Sequence, residues 1–256
     1  MDERKIMLSK VKGRVALIAG ATDEVGEAVA LRLASAGAKL ALCDADEQKL
    51  ATVAAKISAA GGEAAAFEVK ASDAQSVRSC VEKVVARFGR VDILVNNPPE
   101  SDGKALGDLS AESFNTTIAA MLGADFNFLR EIVPQMQQNN NGRVINISSL
   151  AYLGVARSAD LGAAKSGLFG LTRSIALEAA RNNVTCNCVV KGDIPAVSAD
   201  EETKTKIASG IPVKRVGTPT DISYAVSFFA SDTSDYVTGQ TFFVCGGKSN
   251  YFSMSV

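Results

Sequence analysis

Short apolar runs alternate with amphipathic stretches along the chain. Arg14–Ala19 is an apolar run ending in Gly20, and Glu24–Ser35 after it reads as a helix with Gly37 as its stop. Lys39–Cys43 predicts a second strand, and Glu47–Ala59 a second helix that halts at Gly61-Gly62. Ala65–Val69 follows as a third strand. Asp73 reads as the N-cap of a helix to Phe88, and Val91–Val95 as the fourth strand. Ser110 opens a long helix through about Gln137, which the polar run Asn139-Asn140-Asn141-Gly142 breaks. Arg143–Ile147 is the fifth strand, about Leu161–Arg181 a helix, and Val184–Val190 the sixth strand. The stretch from about 193 to 215 reads as a flexible, charged loop. Pro219 opens a helix through about Ala230, and Thr241–Val244 is the last strand.

Strands that are apolar throughout are covered on both faces, which predicts a parallel sheet between two layers of helices. No linker, repeat or low-complexity tract interrupts the alternation, so residues 1–256 read as one doubly wound α/β domain of the Rossmann type.

Composition narrows the chemistry. The 256 residues are 47% hydrophobic and 21% charged, enough apolar content for a sizeable core. Lys plus Arg is 27 and Asp plus Glu 28, so a near-neutral chain offers no basic footprint for nucleic acid or an anionic membrane. The chain has no histidine, which removes His-based triads, His-ligated metals and imidazole proton shuttles together. Cys43, Cys80, Cys186, Cys188 and Cys245 lack zinc-ligand spacing and read as buried thiols of a reducing, cytoplasmic compartment. No signal peptide is visible in Met1–Lys12, and no apolar stretch is long enough to span a bilayer.

The candidate chemistry starts at the first strand. Gly20-Ala21-Thr22-Asp23-Glu24-Val25-Gly26 leads from strand to helix, an arrangement that aims backbone N–H groups at a pyrophosphate. Asp44 ends the second strand, where a carboxylate can meet a ribose 2′-hydroxyl. Further on stand Asn96-Asn97, Asn146-Ile147-Ser148-Ser149, Lys165, Gly192, Gly217-Thr218-Pro219-x-Asp221, Thr238-Gly239-Gln240 and Gly246-Gly247. In this order the motifs resemble those of the short-chain dehydrogenase/reductase family over essentially the whole chain. The resemblance implies a seven-stranded parallel sheet of order 3-2-1-4-5-6-7. It also implies hydride transfer with a nicotinamide cofactor, in which a Tyr is the acid/base, a Lys lowers its pKa, a Ser orients the substrate oxygen and an Asn supports a proton relay.

The departures from that pattern fall on the chemistry. In the Tyr-x-x-x-Lys motif the Lys is Lys165, but Leu161 stands where the Tyr would be. A helix places i and i+4 on one face, so the ammonium would meet a hydrocarbon; losing a positioned acid/base costs roughly 10²–10⁴ in rate. The relay Asn aligns with Met121. Ser149 matches the substrate-orienting Ser and Lys165 the ammonium, both as remnants of that machinery. The middle glycine of the loop is Glu24, and like charges ~4 Å apart repel by ~4 kcal/mol at an effective dielectric near 20. Lys70 aligns with the acid that meets the adenine, Pro98-Pro99 replaces Ala-Gly, Lys191 replaces a Pro, and Ala196 aligns with the carboxamide-binding Thr. The degenerate cofactor set is Gly20, Gly26, Asp44 and Asn96, and no metal is expected.

A fold kept without its chemistry suggests a partner. The leading expectation is a catalytically silent subunit of a hetero-oligomer, a heterotetramer with a homologous active short-chain dehydrogenase that holds the NAD. This chain would bind none. The helices carrying Phe114, Ile118, Met121, Leu122, Phe126, Phe128, Leu129 and Ile132, and then Leu168, Phe169, Leu171, Ile175 and Leu177, are apolar on more than one face, which suits a subunit interface besides the core. Thr241–Val244 with the tail Tyr251-Phe252-Ser253-Met254 offers a second surface. Two other readings stay open: an active oxidoreductase whose remodelled site uses Tyr152, and a dinucleotide-sensing regulator.

Overall fold

A computed structural model describes residues 11–99 and 103–252. Ser253 and Met254 of the expected tail surface lie outside the described residues, as do residues 1–10 of the charged N-terminus. The chain alternates as expected: β1 (Val15–Ala19), α1 (Glu24–Ser35), β2 (Lys39–Asp44), α2 (Glu47–Ala59), β3 (Glu63–Glu68), α3 (Ala74–Phe88) and β4 (Ile93–Asn96). Then come α4 (Ala111–Ile118), a π-helical turn (Ala119–Gly123), α5 (Ala124–Gln138), β5 (Gly142–Ser149), α6 (Ala159–Ala179) and β6 (Val184–Lys191). The series closes with α7 (Glu201–Ser209), α8 (Pro219–Ala230), β7 (Thr241–Val244) and α9 (Lys248–Phe252). The strands form one seven-stranded sheet of order β3-β2-β1-β4-β5-β6-β7, with every neighbouring pair parallel. This is the doubly wound Rossmann-type architecture the sequence implies.

Side-chain alternation along the strands builds the two layers. Ala16 and Ile18 of β1, with Leu40, Leu42, Ile93 and Val95, pack under α1, α2 and α8. Leu17 and Ala19, with Ala41, Cys43, Leu94 and Val144, pack under α3, α5 and α6. Carboxylates and hydroxyls fix the helix starts: Asp23 caps α1, Asp46 α2, Asp73 α3, Ser110 α4 and Thr218 α8.

Three expectations are corrected. The long helix expected from Ser110 is not uniform: it widens by a π turn at Ala119–Gly123 before α5 continues. The stretch read as a loop between 193 and 215 contains the helix α7. The third strand lies at Glu63–Glu68, two residues before its expected start.

The strand order reverses between β1 and β4. In open parallel sheets that reversal leaves a crevice at the carboxyl ends of the strands, where ligands bind. Most of the candidate residues are carried to this end.

Candidate functional site

The crevice begins where β1 runs into α1. Gly20 N and Ala21 N both donate to the Cys43 carbonyl, at 2.9 and 3.3 Å. Gly20 has φ +77° and its missing Cβ would collide with the Asn97 carbonyl; a Cβ on Gly26 would collide with the carbonyl of Gly20. Both glycines are therefore required by the packing of this turn, whatever it binds.

Several donors of the turn already have partners within the chain. The Asp23 carboxylate accepts from Gly26 N at 2.6 Å and from Asn97 Nδ2 at 2.8 Å. Glu24 Oε1 accepts from the backbone N–H of Val197 at 3.0 Å, across 173 residues of sequence. Asp44 is held by the chain: Oδ2 accepts from Thr22 N at 3.1 Å and Thr22 Oγ1 at 2.6 Å, and Oδ1 from Ala45 N at 2.7 Å. Asn96 is not in the crevice. Its amide is buried and donates to Asn146 Oδ1 at 2.9 Å, so the structure places it in the core behind the site. A cavity of about 220 Å³ remains, lined among others by Asp44, Val69, Lys70, Asn97, Pro98 and Phe128. Beside it, the carboxylates of Asp23 and Glu24 stand at the N-terminus of α1, the end of a helix where an anion is otherwise favoured.

The second part of the site is apolar where proton transfer would need a polar group. Leu161 on α6 is 7% exposed and packs with Met121, Ala151 and Ala164, flanked by Ile118 and Leu122. The two altered positions thus fill each other's space. Ser149 Oγ is buried with no hydrogen-bond partner, beside a cavity of about 380 Å³ that Leu161, Ser158, Lys191 and Lys248 also line. Lys165 is 2% exposed. It interacts electrostatically with Asp125 on α5, one turn beyond Met121. Burial pushes the Asp125 carboxyl well above the ordinary carboxylate range, and Lys165 offsets this only in part. Tyr152 packs on Phe169 and Phe243, with ring centroids 4.7 and 5.8 Å away. Burial raises its phenol pKa.

The structure therefore gathers Gly20, Gly26 and Asp44 at the crevice, and Leu161, Met121 and Ser149 around the second site. Sequence reading missed three features. Asp23 is an internal ligand of the turn. Glu24 reaches the segment after β6. Asp125 is a charged residue on the buried face that Met121, Phe128 and Ile132 also occupy; its place four residues after Met121 was the available signal. Among the described residues no cluster of His, Cys, Asp or Glu could hold a metal ion, and no helix is long and apolar enough to cross a membrane.

Comparison with known proteins bears on this geometry. The family model described as enoyl-(acyl carrier protein) reductase matches residues 20–249. Subunit BbsC of (2S)-[(R)-hydroxy(phenyl)methyl]succinyl-CoA dehydrogenase from Thauera aromatica is 49% identical over 98% of this chain and 100% of its own length. Subunit BbsD of the same dehydrogenase is 35% identical, covering 93% of this chain and 98% of its own. The crystal structure of a short-chain dehydrogenase/reductase from Burkholderia xenovorans superposes with a TM-score of 0.89 at 32% identity, covering 94% of this chain and 98% of that one.

Proposed function

The chain belongs to the short-chain dehydrogenase/reductase family, and from that premise we propose that it is the catalytically silent subunit of a hetero-oligomeric dehydrogenase. Its partner is a homologous chain with an intact Tyr-x-x-x-Lys, which holds NAD and oxidises an alcohol of the hydroxyacyl-CoA type. Both similar subunits, one at 49% and one at 35% identity, belong to one dehydrogenase, which supports a complex of two related chains, a heterotetramer by our reading.

The observation that carries the proposal is the hydrocarbon cluster at Leu161 and Met121. Neither side chain can exchange a proton. Lys165 is buried and interacts electrostatically with Asp125 in the interior. This chain binds no NAD in our reading, because the crevice presents Asp23 and Glu24 to the dinucleotide's phosphates. Its role is to complete the assembly and steady the active subunit.

The test is co-expression with a homologous chain that carries Tyr-x-x-x-Lys. The two are expected to co-purify, with activity lost when the partner's Tyr is changed to Phe and none measurable for this chain alone. Steady NAD-dependent oxidation by this chain in isolation, abolished by Tyr152→Phe, would establish the active-enzyme reading instead.

A further inference from the structure

All five cysteines are free and buried, and two of them meet. Cys43 Sγ on β2 and Cys80 Sγ on α3 stand 3.6 Å apart in a thiol–thiol hydrogen bond, although 37 residues separate them in the chain. Both belong to the apolar layer that also holds Val77, Val81 and Val84 of α3. Among the described residues no other two thiols are hydrogen-bonded to each other: Cys186 accepts from the Asn146 amide, and Cys245 pairs with Ser249.

The two sulfurs are chemically unequal. The hydrogen bond from Cys43 and the ammonium of Lys83 hold the Cys80 thiol below its ordinary range. Burial pushes Cys43 well above that range, so Cys43 keeps its proton and donates it toward Cys80. A readily ionised thiol beside a protonated one is the arrangement of a nucleophilic and a resolving cysteine. Cys186 and Cys188 lack it: burial raises both, Cys188 to about 12, which leaves them inert. The route from solvent to the pair is short. Cys43 forms part of the wall of the cavity of about 220 Å³ at the end of β2, which has room for several molecules the size of water. Hydrogen peroxide is little larger.

We propose that Cys43 and Cys80 form a redox-active dithiol that a peroxide converts to a disulfide, a modification site apart from the altered catalytic positions. The Cys80 thiolate attacks one peroxide oxygen and the O–O bond breaks, giving the sulfenic acid of Cys80 and a hydroxide that takes up the proton Cys80 released. The Cys43 sulfur then attacks the Cys80 sulfur. The S–O bond breaks, and the departing hydroxide leaves as water with the Cys43 proton. In sum the two thiols give up two hydrogens, and one peroxide becomes two waters. The sulfurs close from 3.6 Å to about 2.0 Å. The new bond fastens α3 to β2 at the residue whose carbonyl accepts from Gly20 N and Ala21 N. An added dithiol restores the pair by exchange. The inference does not depend on the silent-subunit reading.

Treatment of the reduced full-length chain with hydrogen peroxide tests it, with a quench in denaturant plus an alkylating agent and mapping by peptide mass. The expected product is a Cys43–Cys80 cross-link about 2 Da lighter than the dithiol, which dithiothreitol reverses. Cys186 and Cys188 are expected to oxidise at least about tenfold more slowly. Cys43→Ala removes the resolving thiol and is expected to leave Cys80 as a sulfenic acid, captured by dimedone added with the denaturant. Cys80→Ala is expected to leave Cys43 reduced. Where an alanine variant does not fold, the map of the parent chain decides. Absence of the cross-link in the native parent, a cross-link that forms only in urea, or oxidation of Cys186 and Cys188 as fast as the pair would each overturn the inference. Turnover with NAD by the isolated chain defeats the silent-subunit reading and leaves the dithiol standing.

Discussion

Leu161 and Met121 act as structural residues, and their substitution is expected to report stability before chemistry. Leu161→Ala empties a buried site and is expected to cost about 2–5 kcal/mol in urea unfolding. Leu161→Tyr adds a ring to a filled cluster, at about 1–3 kcal/mol, and is expected to leave the isolated chain inactive. Met121, Glu24 and the engaged Lys165 remain in that variant, and turnover would show that the phenol alone was missing. Asp125 makes a separate prediction. Its folded-state pKa lies above its unfolded one, so the folded chain binds the proton more tightly. Its contribution is therefore greatest in acid and declines as pH rises out of the ordinary carboxylate range toward neutrality. Asp125→Asn is expected to flatten that decline in urea midpoints measured from acid to neutral pH. A slope equal to the parent's would show that Asp125 is ionised beside Lys165.

Among the elements, α8 has the most complete start signal. Thr218 Oγ1 and the Asp221 carboxylate exchange hydrogen bonds with each other's backbone N–H, and Pro219 sits inside the first turn. Thr218→Ala is expected to cost about 1 kcal/mol in the same unfolding assay. Hydrogen bonds from Arg215 hold the Asp221 carboxyl down at about 2, against a smaller opposing effect of burial. Stability from this pair is present above the ordinary carboxylate pKa and is lost as pH falls toward 2; Arg215→Met is expected to weaken that acid limb. Such caps explain why α1, α2 and α8 were legible in the sequence to their end residues. The helix α7 was not, because Glu201–Ser209 buries no residue and so has no apolar period to read. The π turn left no signal either, since one extra residue within a helix changes no composition. The altered catalytic positions were legible because a single family motif fixes them. The Glu24–Val197 contact was not, because no local pattern joins residues 173 apart.

At the scale of the molecule, the unpartnered apolar surface matters most. Phe128, Leu129, Ile132 and Leu168 are core residues, as are Met121 and Leu161. Phe126 on α5 and Leu177 on α6 stay exposed, Leu177 by 82%. At the sheet edge β7 leaves Phe242 and Phe243 partly uncovered, and Tyr224 and Phe228 on α8 are exposed. These two surfaces are the ones the proposed assembly would use. Phe126→Lys with Leu177→Lys is expected to reduce recovery of the homologous partner by about tenfold or more while leaving the circular dichroism of the isolated chain unchanged. Undiminished recovery would remove the helical surface from the interface.

The all-parallel sheet also sets an order of events during synthesis. Val15 of β1 bonds Asp92, 77 residues further along, so the middle of the sheet cannot close until β4 has emerged from the ribosome. Closing loops of that length makes folding slow. Among the described residues the edge strand β7 pairs only with β6 and comes last of the seven in chain order. A subunit that docks on this edge therefore meets a sheet whose other six strands precede it in the chain, and the pace of joining the two depends on how much of each chain the cell holds.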